Sequence, residues 1–170
     1  MLQKTHSVAG MIAAEVVLIH GNTSYFTWDA VGALLLGCLA GTLADVDKPG
    51  STMAKVLFPL SALLHVLKIK HRTLTHSLLF MALLVMLSLS LSPLYFWVFM
   101  LAYASHPLID LLNDRGVQLL WPIPLKVRIL PKWLAIDTGS TSETAFRWLL
   151  LIICLVLPFG NYVFPYLHSQ

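Results

Sequence analysis

The chain has 170 residues, 58% of them hydrophobic and 11% charged, with a formal charge of +3. A soluble domain is about 45–50% apolar and about 25% charged, so the composition excludes that class and indicates one small integral membrane domain over 1–170. The positive balance does not point to nucleic acid, because the basic residues stand singly between apolar runs, as topology-setting loop charges do.

From the N-terminus, a polar start (Gln3, Lys4, Thr5, His6) leads into Val8–Ile19, which lacks a clean small-residue cleavage site and reads as a retained anchor. Five apolar stretches, at roughly 7–20, 26–44, 73–92, 94–112 and 146–167, are punctuated by Gly, Pro, Asn or Ser and are expected to cross a bilayer core of about 30 Å. A sixth, Val56–Leu67, contains Pro59 and is flanked by Lys55, Lys68 and Lys70; too short to span, it suits an interfacial or re-entrant helix. The predicted fold is therefore all-α, a polytopic membrane helical bundle of about five transmembrane helices plus that short helix. Cys38 and Cys154 sit inside apolar runs without metal-type spacing and read as buried thiols.

An N-in/C-out threading puts all eleven Lys and Arg on the cytoplasmic side and leaves the outer segments 21–25, 90–93 and the tail after Tyr166 without either. His20 and His168 fall on the outer side, and His65 in the short interfacial helix. The same threading gathers the polar residues at the cytoplasmic helix ends: His6, Asp45 and Asp47, His71 and His76, His106 and Asp110, and Glu143. Their convergence supplies nitrogen and oxygen ligands for a divalent ion, Zn²⁺ first, with Mn²⁺ or Fe²⁺ also compatible, and one or two ions.

Within this set, His106 and Asp110 lie four apart on one helix face, although Pro107 between them weakens or bends the helix. Ionisable residues in membrane segments are costly and usually functional, which favours ligation over a packed polar pair. His71 and His76, five apart, do not share a face; His76 is the better direct ligand, with His71 a supporting group or, beside Arg72, a contact to substrate phosphate. A basic loop binding anionic headgroups is the competing reading of this segment. Asp45 and Asp47 end a helix whose dipole calls for a nearby cation, with Asp47 slightly preferred. Glu143 completes a Ser140–Glu143 capping box with Arg147 four residues on, so on residues alone it is a cap. Glu15 lies about 13 Å deeper than His6 along the helix and reads as a buried interhelical contact. Asn113 and Asp114 read as loop-capping groups, Asn113 also being placed to orient substrate.

Through Thr5-His6-Ser7, Ala44-Asp45-Val46-Asp47, His71-Arg72-Thr73-Leu74-Thr75-His76-Ser77, His106-Pro107-Leu108-Ile109-Asp110, Trp121-Pro122 and Thr138-Gly139-Ser140-Thr141-Ser142-Glu143, the chain resembles the LexA-regulated inner-membrane metal-dependent hydrolases, the YdjM-like family. The order of ligand types is also similar to zinc-dependent phospholipase C and the fungal single-strand nucleases. Gly139 stands where those enzymes carry a histidine, so one or two ions are expected rather than three. The resemblance implies a bacterial inner-membrane, SOS-regulated hydrolase. It implies Glu143 as a ligand beside His6, Asp45 or Asp47, His76, His106 and Asp110. It further implies His71 and Arg72 at the phosphoryl group, and a phospholipid or lipid-linked phosphate cleaved with a metal-activated water at the cytoplasmic face. A metal sensor or transporter and a noncatalytic membrane scaffold are the rival functions; a transporter would place its ionisable residues nearer the bilayer midplane.

Overall fold

A computed structural model describes residues 1–167, with side chains described through Phe159. His168 lies outside the described residues, and so does the side chain of Tyr166. The described chain is all-helical: α1 Gln3–His20, α2 Trp28–Leu43, α3 Thr52–Val56, α4 Phe58–Val66, α5 Leu78–Ser88, α6 Pro93–Asp110 and α7 Thr141–Leu167, with 3-10 turns at Ala44–Asp47 and Leu74–His76. No strand occurs among the described residues; two isolated bridges, Asn113 to Ile136 and Val117 to Val127, organise the loop between α6 and α7.

The expected count of crossings is corrected. Two helical segments, not about five, are long and apolar enough to span: Trp28–Asp47 (20 residues) and Thr141–Phe159 (19 residues). α5 has 11 residues, about 16 Å of helix against a core of about 30 Å. α1 and α6 reach 18 residues each, but Gln3, Lys4, His6, Glu15 and His20 in one, and Ser105, His106 and Asp110 in the other, dilute their apolar character. The N-in/C-out threading depended on five crossings and falls with them. The two spanning segments do present apolar side chains outward, among them Leu35 and Leu39 on α2 and Ile152 and Leu155 on α7.

The expected short helix over Val56–Leu67 is present as α4, preceded across Leu57 by the separate short helix α3, with Pro59 in the first turn of α4, where its missing N–H costs nothing. Met53 and Leu64 pack on Val46 and hold this unit against the end of α2, while Phe58 and Val66 face outward. Pro107 does not break α6, which runs unbroken to Asp110.

What positions the site is the crossing of α1 and α2. Both helices pack on α6, and Ala14, Leu18, Ala30, Ala33 and Val98 form the three-way core. Glycines make the crossing possible: a Cβ on Gly10 would collide with the Gly37 carbonyl oxygen, and one on Gly41 would lie 2.5 Å from the His6 carbonyl oxygen. Small residues that let helix backbones touch are the usual device where lipid removes the hydrophobic drive for association. Gly41→Ala is expected to force α1 outward at a cost of about 1–3 kcal/mol, read as a lowered midpoint of thermal unfolding in detergent. An unchanged midpoint would mean the crossing is slack.

Candidate metal centre

The crossing brings the N-terminal end of α1 beside the C-terminal end of α6, where the His6 and His106 rings stack with centroids 3.6 Å apart and 8° between planes. Asp45 and Asp47 enter from the 3-10 turn after α2, and His71 and His76 from the segment before α5. His76 meets His106 edge-on at 4.9 Å. All of these donors except His71 are buried; His71 retains 28% exposure and forms the mouth of the cluster.

Hydrogen bonds to the outer ring nitrogens decide which nitrogen faces inward. His106 Nδ1 lies 2.7 Å from the Gly41 carbonyl oxygen, which can only accept, so Nδ1 carries the proton and Nε2 keeps its lone pair. The Thr75 hydroxyl donates to Asp47 Oδ2 at 2.6 Å, leaving its oxygen to accept from His76 Nδ1 at 3.0 Å; His76 Nε2 is thereby bare. His71 Nδ1 sits 2.7 Å from Asp47 Oδ1, with its Nε2 turned toward Asp45 Oδ1 at 3.7 Å. Tyr103 donates its hydroxyl to the Thr75 carbonyl and fixes that residue in turn. This is the outer-shell orientation typical of ligating histidines.

Several atoms facing one another have no hydrogen-bond partner: His6 Nε2, His76 Nε2, His106 Nε2 and, apart from its ion pair with Arg72, Asp110 Oδ2 are buried and unsatisfied. His6 Nε2 is 3.4 Å from Asp110 Oδ1, His76 Nε2 3.7 Å from Asp110 Oδ2, and His106 Nε2 3.7 Å from Asp45 Oδ1 and 4.0 Å from Asp110 Oδ2. Nitrogen and oxygen ligands at about 2.0–2.2 Å from a tetrahedral zinc stand roughly 3.3–3.6 Å from one another. The spacing fits donors around a shared cation, and all but the His6–Asp110 pair are too wide for direct hydrogen bonds. Three overlapping donor groups result: His6, His106 and Asp110; Asp45, His76 and His106; and Asp47, His71 and His76.

Burial, with the neighbouring His106 as the next cause, lowers the pKa of His6 to about 3 and that of His76 well below the ordinary histidine value. Both rings are therefore neutral, the form that ligates.

The two acids of the 3-10 turn differ in a way their spacing does not reveal. Asp47 is engaged through both oxygens, by His71 and Thr75, whereas Asp45 Oδ2 has no hydrogen bond and only Lys48 Nζ at 3.8 Å. Arg72 also differs from expectation. Its guanidinium is buried, with Nη1 donating to Asn113 Oδ1 at 2.5 Å, Nη2 to Asp110 Oδ1 at 3.1 Å, and Nε lying 2.9 Å from Asp110 Oδ2 but outside hydrogen-bonding geometry. Arg72 thus orients Asp110 rather than facing an open cavity. The Met1 amino group also contacts Asp110 Oδ1, at 2.7 Å. Glu143 lies outside the three donor groups: its Oε1 accepts from Leu2 N and Thr5 Oγ1, and its Oε2 from Gly139 N, while its own N–H is capped by Ser140 Oγ. It binds the start of α7 to the start of α1.

Asn113, read from sequence as a loop cap, is fully buried and passes the constraint on Arg72 to the Ile136 carbonyl and the Thr138 hydroxyl through its amide nitrogen. Thr75 and Gly41 carried no role in the sequence reading. The adjacency of Thr75 to His76 was the one available signal for the first; nothing local marks the second. Glu15 is buried, as expected, and accepts from the Cys154 thiol at 3.4 Å across the α1–α7 contact. Both cysteines are free.

An all-helical chain with two segments long and apolar enough to span a membrane and a buried histidine–aspartate cluster of this kind fits a membrane protein with a candidate metal centre. It belongs to the family of YdjM inner membrane proteins, whose family model matches residues 1–166. It is also similar to the uncharacterized protein YvsG of Bacillus subtilis (strain 168), with 28% identity over 172 aligned residues that cover 100% of this chain and 99% of that one. No solved structure matches the chain. The likeness to zinc-dependent phospholipase C and the single-strand nucleases therefore rests on the order of residues alone.

Proposed function

We propose that the chain is a membrane-bound metal-dependent hydrolase that cleaves a phosphoester of a lipid or lipid-linked substrate at the membrane face. The observation that carries this reading is the set of buried, unsatisfied nitrogen and oxygen atoms facing one another at ligand spacing. Desolvated polar atoms of this kind cost about 1–3 kcal/mol each when left unpaired, and a shared cation removes that cost for all of them together. His6, Asp45, His76, His106 and Asp110 would hold one or two ions, with the nitrogen and carboxylate donors suiting Zn²⁺ and tolerating Mn²⁺ or Fe²⁺.

A divalent ion there supplies Lewis acidity toward a phosphoryl oxygen and toward water. Arg72 keeps the Asp110 carboxylate in one orientation, and Asp47 does the same for His71. His71, at the mouth and partly exposed, is the group placed to exchange a proton with an entering substrate or its leaving group. The absence of a nucleophilic Ser or Cys among the inward donors favours direct attack by water. Because the donors lie where the span Trp28–Asp47 ends, a molecule anchored in the bilayer can bring its headgroup to them.

The test is turnover by detergent-purified, zinc-loaded protein on a panel of phospholipids and lipid-linked pyrophosphates, read as released phosphate or diacylglycerol. Release that is lost in His71→Ala while metal content persists is the expected result. No turnover of any panel member by metal-replete protein would leave a metal-binding membrane protein without hydrolase activity.

A further inference from the structure

The loop between α6 and α7 is not a loose connector. Gln118 N donates to the Arg72 carbonyl and Leu119 O accepts from Leu78 N. Val117 and Val127 exchange both backbone hydrogen bonds, and the N–H groups of Ile129 and Ile136 reach the carbonyls of Leu111 and Leu112 just beyond Asp110. The backbone is thus fixed to the residues that follow the donors, yet beyond the buried Val117 several of its large apolar side chains find no core. Ile123, Leu125, Ile129 and Leu134 are each more than half exposed and Trp133 is 81% exposed. A contiguous apolar patch of this kind marks an interaction surface.

Charge and position identify what covers it. Residues 115–136 contain Arg115, Lys126, Arg128 and Lys132 and no Asp or Glu, and Lys126, Arg128 and Lys132 are exposed among the apolar side chains. This basic stretch ends five residues before the span that starts at Thr141, which sets it at the headgroup level of that span. Apolar groups interleaved with cations at that depth match an anionic phospholipid surface: hydrocarbon takes the apolar side chains, and the cations are drawn by the negative surface potential of the leaflet. A tryptophan at the rim is a typical interfacial anchor.

We infer that residues 120–134 form a docking platform seated in the headgroup layer of an anionic leaflet, rigidly tied through Arg72 and Leu111 to the cluster. The platform requires neither metal nor turnover, so it stands apart from the hydrolase reading.

Nitroxide labels placed by Leu125→Cys and Trp133→Cys, in a Cys38→Ala, Cys154→Ala chain reconstituted in nanodiscs containing phosphatidylglycerol, test it by collision with oxygen and with a water-soluble nickel chelate. The expected result is oxygen access exceeding nickel access at both positions. That ratio should fall at least threefold when Lys126, Arg128 and Lys132 are all changed to Glu. Nickel access equal to or above oxygen access overturns the proposal, and so does protection from both reagents, the signature of a second copy or another protein over the patch. Trypsin cleavage of the unaltered chain after Lys126, Arg128 and Lys132 provides a readout that no substitution can disturb. It should be several-fold slower in phosphatidylglycerol than in phosphatidylcholine nanodiscs, and equal rates count against the platform.

Discussion

His106→Ala is expected to abolish stoichiometric metal in the purified protein. This ring belongs to two of the three donor groups, stacks on His6 and meets His76 edge-on, so its removal takes a ligand from two groups at once. Groups in the outer shell of a metal site typically change affinity by 10–100-fold, so loss of a shared direct donor should exceed about 100-fold. Elemental analysis after dialysis against a weak chelator reads the difference. Full metal retention would show that the donors are packed polar groups and nothing more. Because His106 is fully buried and its loss leaves a cavity, His106→Gln, which conserves most of the volume, belongs beside it; both variants should lose metal while only the alanine form should unfold markedly earlier.

The second large effect separates two neighbouring acids. Asp45→Asn is expected to weaken metal binding by more than about 100-fold, whereas Asp47→Asn should cost about 10–100-fold, the range for an outer-shell carboxylate. The prediction rests on placement: both Asp47 oxygens already accept, from His71 and Thr75, whereas Asp45 Oδ1 stands 3.7 Å from both His106 Nε2 and His71 Nε2, at ligand rather than hydrogen-bond spacing. Chelator competition on the two variants gives the ratio directly. Equal losses would remove the distinction, and a greater loss at Asp47 would reverse it and restore the sequence preference for Asp47.

The convergence of sequence-distant donors was legible because ionisable residues are rare in so apolar a chain, and their positions at the ends of apolar runs select one layer. Their division of labour was not. Asp45 and Asp47 are chemically equivalent in sequence, and only the placement of Thr75 and His71 against one of them distinguishes the two. Arg72 beside His71 looked free to meet phosphate because its partner Asn113 lies 41 residues away. Glu143 fitted two readings, and three contacts from Leu2, Thr5 and Gly139 supply what the capping pattern implied only in part. The number of crossings was misjudged for a different reason: apolar runs with basic flanks do not distinguish a short or polar-interrupted helix packed on its neighbours from one long enough to span, and α5 is the plain example.

Gly41 links assembly to chemistry within one residue. Its missing side chain lets the backbone of α1 approach, and its carbonyl oxygen fixes the proton on the far nitrogen of His106. A side chain at this position would therefore disturb two things at once: the approach of α1, and the stretch of α2 backbone that holds the His106 tautomer.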